Sequence, residues 1–345
     1  MIRNMIAINR RHITLSFIVL FCIGWYLFGA NQYSVDIDNY RSLYYRATLG
    51  GQSVYEPGFY ILCAFFNECG MPFELFLKIY GSIAFILISS TIIRYAERPG
   101  MVMIAFMLYP FLLDCAQIRH FMAYAIFIFA IRYLEQFSIK NLILFVIFIF
   151  ISISFQITAI AFFIFLLSYI SKSKIAYLCG IAVSGLFIMG SALKYSGLYI
   201  YIMNLRDKGS IYEDSTPLGQ LIMYCVFYGV ISYFALHIPK NKNRDKSYVM
   251  DNNVLIRISL LSLIFIPLLT IDFQYTRLYR ACLIPVYLSA TNNIANSPDS
   301  MKRQLSYLIL FITLIAVSLK LFGPYGGYYK TLTAPILFHQ DYIVS

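Results

Sequence analysis

Four short stretches of this 345-residue chain hold side chains of the kinds that do chemistry. The first carries Asp36, Asp38, Asn39, Tyr40, Arg41 and Tyr44, then Tyr55, Glu56, Pro57, Gly58 and Phe59. Glu56 stands immediately before a proline that suits a helix start. It either caps that helix or faces a cavity, where it orients an acceptor hydroxyl or takes its proton. The second stretch holds Asp114, Gln117, Arg119 and His120 at a tight turn between two apolar segments. A guanidinium there suits phosphate in a bidentate fork, with a local ion pair to Asp114 as the alternative. The third holds Asp272, Tyr275, Arg277, Tyr279 and Arg280. Arginines three apart share one helical face. Together with Arg119 they form a cationic pocket fit for a diphosphate, or they snorkel to lipid headgroups. In the fourth, Ser154 to Ala159, Gln156 interrupts a long apolar run. It marks a turn or bonds a substrate, and it cannot accept a proton as a base.

The elements that must position these residues are membrane helices. The chain is 60% hydrophobic and 12% charged, about half the charge of an ordinary soluble domain. Its mean hydropathy is +0.71. Eleven apolar segments can be drawn, at 13–30, 73–93, 101–115, 118–134, 142–155, 157–170, 175–193, 218–237, 254–271, 278–293 and 305–322. The stretch 58–69 is apolar but half the length of a span, and reads as a re-entrant or interfacial helix. The expected fold is all-α: a polytopic integral membrane protein of about eleven transmembrane helices plus that outer helix. One domain covers 1–345, with outer segments at about 31–72 and 194–217 and a main cytoplasmic loop at 239–253. Within 194–217 apolar residues recur at helical spacing, which predicts an amphipathic interfacial helix.

Charge orients the segments. With the N-terminus cytoplasmic, sixteen of the 27 basic residues and five of the 16 acidic ones lie inside, and the outer side is balanced. That is the positive-inside pattern. It accounts for the +11 net charge without nucleic acid and places all four stretches at outer helix ends. Asn31 and Gln32 follow the first segment in place of small cleavage-site residues, so it reads as a retained span. The seven cysteines are scattered without CxxC or Cys/His pairing, and no carboxylate pair has metal spacing. No nucleotide-binding motif is visible. No metal and no cofactor is expected, so an enzyme here works on an already activated substrate. The clustered tyrosines Tyr40, Tyr44, Tyr45, Tyr55 and Tyr60 serve as a membrane-interface belt or as a platform for sugar rings.

In this order the stretches resemble the EpsG-like family of bacterial polysaccharide polymerases, within the broader Wzy-type group. The resemblance rests on Asp38-Asn39-Tyr40 with Tyr44, on Tyr55 to Phe59, on Gln117-Ile118-Arg119-His120 leading to Ala123, and on Phe155 to Ala159. Arg277 and Arg280 fit more loosely. The family usually has His where Gln156 stands, and often Gln where His120 stands. The resemblance implies an oligosaccharide repeat-unit polymerase of the bacterial plasma membrane. Such an enzyme is a glycosyltransferase that moves glycan from undecaprenyl diphosphate to an acceptor sugar hydroxyl at the outer face. Glu56, Arg119, Arg277 and Arg280 are then the catalytic candidates. Asp38, Tyr40, Tyr44, Tyr55, His120, Gln156 and Tyr275 are the substrate-binding ones. The implied partners are the lipid-linked oligosaccharide, the bilayer, and assembly proteins such as a flippase and a chain-length regulator. The alternatives are a flippase or transporter of lipid-linked oligosaccharide, and an O-antigen ligase that differs only in its acceptor.

Overall fold

The computed structural model describes residues 14–34, 36–51, 56–195, 218–237 and 246–338, and among them it is all-helical, with no strand. Four helices have the length and composition of a membrane span: Phe73–Tyr95, Lys172–Ala192, Leu218–Leu236 and Ser300–Phe322. Shorter apolar helices cover Leu15–Gly29, Pro99–Leu108, Ile139–Phe155, Ile157–Tyr169 and Val254–Thr270. These match nine of the eleven apolar segments, five of them at less than full length. Among the described residues the structure is thus all-helical and compatible with a membrane protein, with four helices long and apolar enough to span a bilayer and five shorter apolar ones.

The first two helices are α1 (Leu15–Gly29) and α2 (Ile37–Arg46). They are followed by α3 (Pro57–Glu68) and α4 (Phe73–Tyr95). Proline, glutamine and aspartate explain why several later segments are short. The segment 101–115 divides into α5 (Pro99–Leu108) and α6 (Phe111–Ala116) around Pro110, which has no N–H to continue a helix. Gln117 then separates α6 from α7 (Ile118–Ala130). Ser138 caps α8 (Ile139–Phe155) through the Asn141 N–H at 3.1 Å. At its far end, Gln156 is extended (φ −155°, ψ 116°) and separates α8 from a 3-10 helix, Ile157–Tyr169. Further on come α9 (Lys172–Tyr195), α10 (Leu218–Leu236) and α11 (Lys246–Ser262). After them, Asp272 is extended and leads through a short turn into α12 (Thr276–Ala281) and α13 (Leu283–Ala295). Asp299 caps α14 (Ser300–Phe322), and Ala334–Phe338 forms α15.

Helices α7 and α13 form the centre. Nearly every residue of each is buried. The apolar surface of the outer helices instead faces outward, as at Ile181, Ile188, Leu308 and Ile312. Continuous exposed apolar surface on this scale marks contact with lipid. At the end of α4 and α7 remote from residues 117–120, Arg94 grips Glu135 in a bidentate pair at 2.9 and 3.0 Å. Asn292 donates to the Tyr95 carbonyl at 2.8 Å and ties α13 to the same end.

The helix α3 is 12 residues long, about 18 Å at 1.5 Å per residue. That is too short to cross a hydrocarbon core of about 30 Å. It lies against α2, α4 and α8. The contact with α8 depends on Gly58. A Cβ there would stand 2.3 Å from Ser154 Oγ and 2.8 Å from the Ser154 carbonyl oxygen. Gly180, in α9, has nothing within 4 Å of its Cβ position. Gly58→Ala should therefore lower stability by about 1–3 kcal/mol through overpacking, whereas Gly180→Ala should be neutral or slightly stabilising. Thermal unfolding of the two variants in detergent checks this. Equal midpoints would mean that the α3–α8 contact is loose.

Candidate active site

Three helix interruptions build the site, at Gln117, Gln156 and Asp272. Each ends a run of apolar helix and brings polar side chains to the same end of the bundle. Irregular backbone at membrane depth is tolerated only where it is buried in protein or lines a polar cavity. Here it does both.

Glu56 is the N-cap residue of α3, yet its carboxylate makes no capping bond to that helix. Close packing at Gly58 carries it instead to the start of the Ile157–Tyr169 helix. There the Ile157 N–H donates to Glu56 Oε1 at 3.0 Å. The first N–H groups of a helix have no partner within it, so Glu56 satisfies a donor released by the break at Gln156. Its other oxygen forms an ion pair with Arg119 Nη1. The Arg119 guanidinium also sits 5.7 Å from the centre of the Tyr40 ring, a cation–π distance. Arg119 occupies the first turn of α7, where the helix dipole adds positive potential.

Arg280 is held differently. Its Nε lies 3.1 Å from Asp114 Oδ1, and both side chains are almost wholly buried. Tyr124 donates its hydroxyl to the other Asp114 oxygen. Arg280 Nη2 donates to Gln117 Oε1. Removing one member of such a buried pair costs about 3–5 kcal/mol, because it leaves the other charge alone. This network fixes Gln117 at the break between α6 and α7. Asp114 thus pairs with Arg280 and Arg119 with Glu56, in place of the local Asp114–Arg119 pair that stood as the alternative to a phosphate-binding role.

Two adjoining cavities open onto these residues. The smaller, of about 170 Å³, is walled by Asp36, Asn39 and Tyr40 of the α2 region, by Gln117, Arg119 and His120, and by Gln156 and Arg277. The larger, of about 320 Å³, shares Asp36, Gln117 and Arg277 with it. Arg280, Phe273, Gln274, Thr276, Tyr328 and Thr331 also line it. His120 is buried, and its Nε2 has no hydrogen-bond partner. Burial raises the Asp36 pKa above the usual carboxylate range, against the opposing pull of Arg277 and then Arg119. Burial likewise raises that of the Tyr40 phenol. No three His, Cys, Asp or Glu side chains gather as a metal site would require, among the described residues.

Of the residues singled out in the sequence, Tyr40, Arg119, His120, Gln156 and Arg277 meet at the smaller cavity. Arg280 lines the larger one, and Glu56 stands behind Arg119. Asp38 is exposed and pairs with Arg41 at 2.8 Å. Tyr44 is buried against Phe73 and Phe76 and donates to the Met71 carbonyl at 2.8 Å. Tyr275 is partly exposed and lines neither cavity. Tyr55, the segment 196–217 and residues 239–245 of the loop 239–253 lie outside the described residues, and the rest of that loop falls in α11. Asp36 and Asn39 were not among the site candidates. Helical spacing carries the signal, because Asp36, Asn39 and Tyr40 stand at i, i+3 and i+4 on one face, whereas Asp38 points elsewhere.

The family model for the EpsG family matches residues 14–327. No curated protein and no solved structure matches the chain. The family match takes in Asp36, Glu56, Arg119, Gln156, Arg277 and Arg280 and ends just before Tyr328 and Thr331 of the larger cavity. The chain belongs to the EpsG family, a family of Wzy-like polysaccharide polymerases.

Proposed function

We propose that this protein polymerises oligosaccharide repeat units carried on undecaprenyl diphosphate, at the outer face of a bacterial plasma membrane. The observation that carries the proposal is the convergence of Arg119 and Arg277 on one polar cavity, with Gln117, Gln156 and Tyr40 beside them. An anion held there meets two guanidiniums, amide donors and the N-terminal end of α7. An acceptor sugar hydroxyl attacks the anomeric carbon of the donor, and undecaprenyl diphosphate leaves. Negative charge grows on the departing diphosphate, and Arg119 and Arg277 stabilise it. Glu56 holds Arg119 in place through the ion pair, and the Ile157 N–H holds Glu56. Arg280 adds positive charge to the wall of the adjoining cavity and braces Gln117. The diphosphate already activates the sugar, so the reaction consumes no nucleotide.

Purified protein in nanodiscs, given lipid-linked repeat units extracted from cells that lack this chain, should form a polymer ladder without nucleotide. Arg119→Ala and Arg277→Ala should each slow the ladder by about 10²–10³-fold, the cost of one lost donor at a developing anion. Arg119→Lys should recover only part of this, because a point charge lacks the planar fork. Full-rate ladders from both alanine variants would contradict the diphosphate role. Translocation of the same lipid in liposomes without any ladder would favour a flippase.

The basic residues Arg94, Arg98, Arg132 and Lys140 at the opposite end support an orientation with the site on the outer side. In a cysteine-free background, Gln136→Cys should resist a membrane-impermeant maleimide in intact cells and react in inverted vesicles. Leu49→Cys should do the reverse. The opposite labelling pattern would put the site in the cytoplasm.

A further inference from the structure

Among the described residues, Asp36 is the one acidic side chain on the wall of either cavity, and it lines both. It is the N-cap residue of α2 but makes no capping bond there. The other two nearby carboxylates are engaged: Glu56 by Arg119 and the Ile157 N–H, and Asp114 by Arg280 and Tyr124.

The two chambers share Asp36, Gln117 and Arg277, each has a second arginine (Arg119 in the smaller, Arg280 in the larger), and they differ in size and in the rest of their walls. The smaller, at about 170 Å³, falls below the roughly 300 Å³ at which ligand pockets begin, and its wall is cationic and amide-rich. That suits phosphate groups rather than a sugar chain. The larger, at about 320 Å³, sets the rings of Phe273 and Tyr328 beside Gln274, Thr276 and Thr331. Apolar rings beside neutral hydrogen-bonding groups are what a sugar requires. The Thr331 hydroxyl oxygen is buried with no hydrogen-bond partner. A buried polar group left so costs about 1–3 kcal/mol, which a ligand hydroxyl removes.

Building on the polymerase reading, we propose that the larger chamber is the acceptor-sugar subsite. Asp36, on the wall it shares with the diphosphate chamber, is the base that takes the acceptor proton. The acceptor oxygen bonds to the anomeric carbon as the bond from that carbon to the diphosphate oxygen breaks. The electron pair leaves with undecaprenyl diphosphate, between Arg119 and Arg277. The hydroxyl proton passes to the Asp36 carboxylate and from there to water. Burial favours this, because a carboxyl raised above its usual range is a better base near neutral pH. The titratable or charged groups facing Asp36 across the two chambers are Tyr40, Arg119, His120, Arg277, Arg280 and Tyr328.

The test uses the full chain in nanodiscs, with extracted lipid-linked repeat units as donor and the released repeat-unit oligosaccharide as acceptor. Asp36→Asn should cut the ladder rate by about 10²–10⁴-fold while undecaprenyl diphosphate binding is retained. Wild-type activity should fall as pH drops through the Asp36 titration, and the residual activity of Asp36→Asn should lack that acid limb. Asp36→Glu should restore part of the rate together with the limb, and it serves if Asp36→Asn does not fold. Thr331→Val, nearly the same shape, should raise the acceptor KM several-fold, about the worth of one hydrogen bond, and leave undecaprenyl diphosphate binding unchanged. A full-rate Asp36→Asn ladder, or an acid limb removed by Glu56→Gln instead, overturns the assignment and leaves the polymerase reading standing. A wild-type protein that makes no ladder overturns both.

Discussion

A helix that breaks leaves the first N–H groups of the next helix without partners in their own backbone. The break at Gln156 leaves the Ile157 N–H in that position, and Glu56 supplies the partner from another helix. The same carboxylate neutralises Arg119. One side chain thus joins α3, α7 and the start of the 3-10 helix, and it does so because Gly58 lets α3 press against Ser154. If that bridge is removed, the break, the arginine and the outer helix lose a common anchor. Arg119 depends on it for its place beside Tyr40 and the cavity.

Charge inside the bundle is handled by a division of labour. Arg280 is buried and committed to Asp114 and Gln117, which suits a brace. Arg119 and Arg277 face a cavity that also contains amides and a phenol. Charges are expensive away from water unless paired or put to use. The deep pair supports the backbone turn at Gln117, and the shallower arginines face the space where a ligand fits. Asp36 lies where the two cavities meet, under opposing influences of burial and of two guanidiniums.

Helicity and apolar, membrane-type segments were legible in the sequence, and so were the polar stretches that the structure brings to the two cavities. Hydropathy alone marks the apolar runs, and charged or amide residues at their ends stand out against so apolar a background. The pairing among the stretches was not legible. Nothing local says that Glu56 reaches Arg119 rather than capping its own helix, or that Asp114 reaches Arg280, 166 positions along the chain. Those contacts depend on how helices pack, which periodicity does not encode. The breaks at Gln117 and Gln156 were visible, because an amide interrupts an otherwise apolar run at each. The one at Tyr109 and Pro110 was not, because hydropathy barely registers a single proline inside an apolar window. Asp38 was preferred to Asp36 because it belongs to the recognisable Asp-Asn-Tyr run, yet helical spacing from Tyr40 selects Asp36 for the cavity face.

The most direct test is binding of undecaprenyl diphosphate against undecaprenyl monophosphate to the purified protein, measured at one fixed salt concentration. If Arg119 and Arg277 form a diphosphate site, the diphosphate binds at least about tenfold tighter, a difference of about 1.4 kcal/mol. That preference should disappear in the Arg119→Ala/Arg277→Ala double variant. Equal affinity for the two lipids, or a preference that survives loss of both arginines, would contradict a diphosphate site built on these residues.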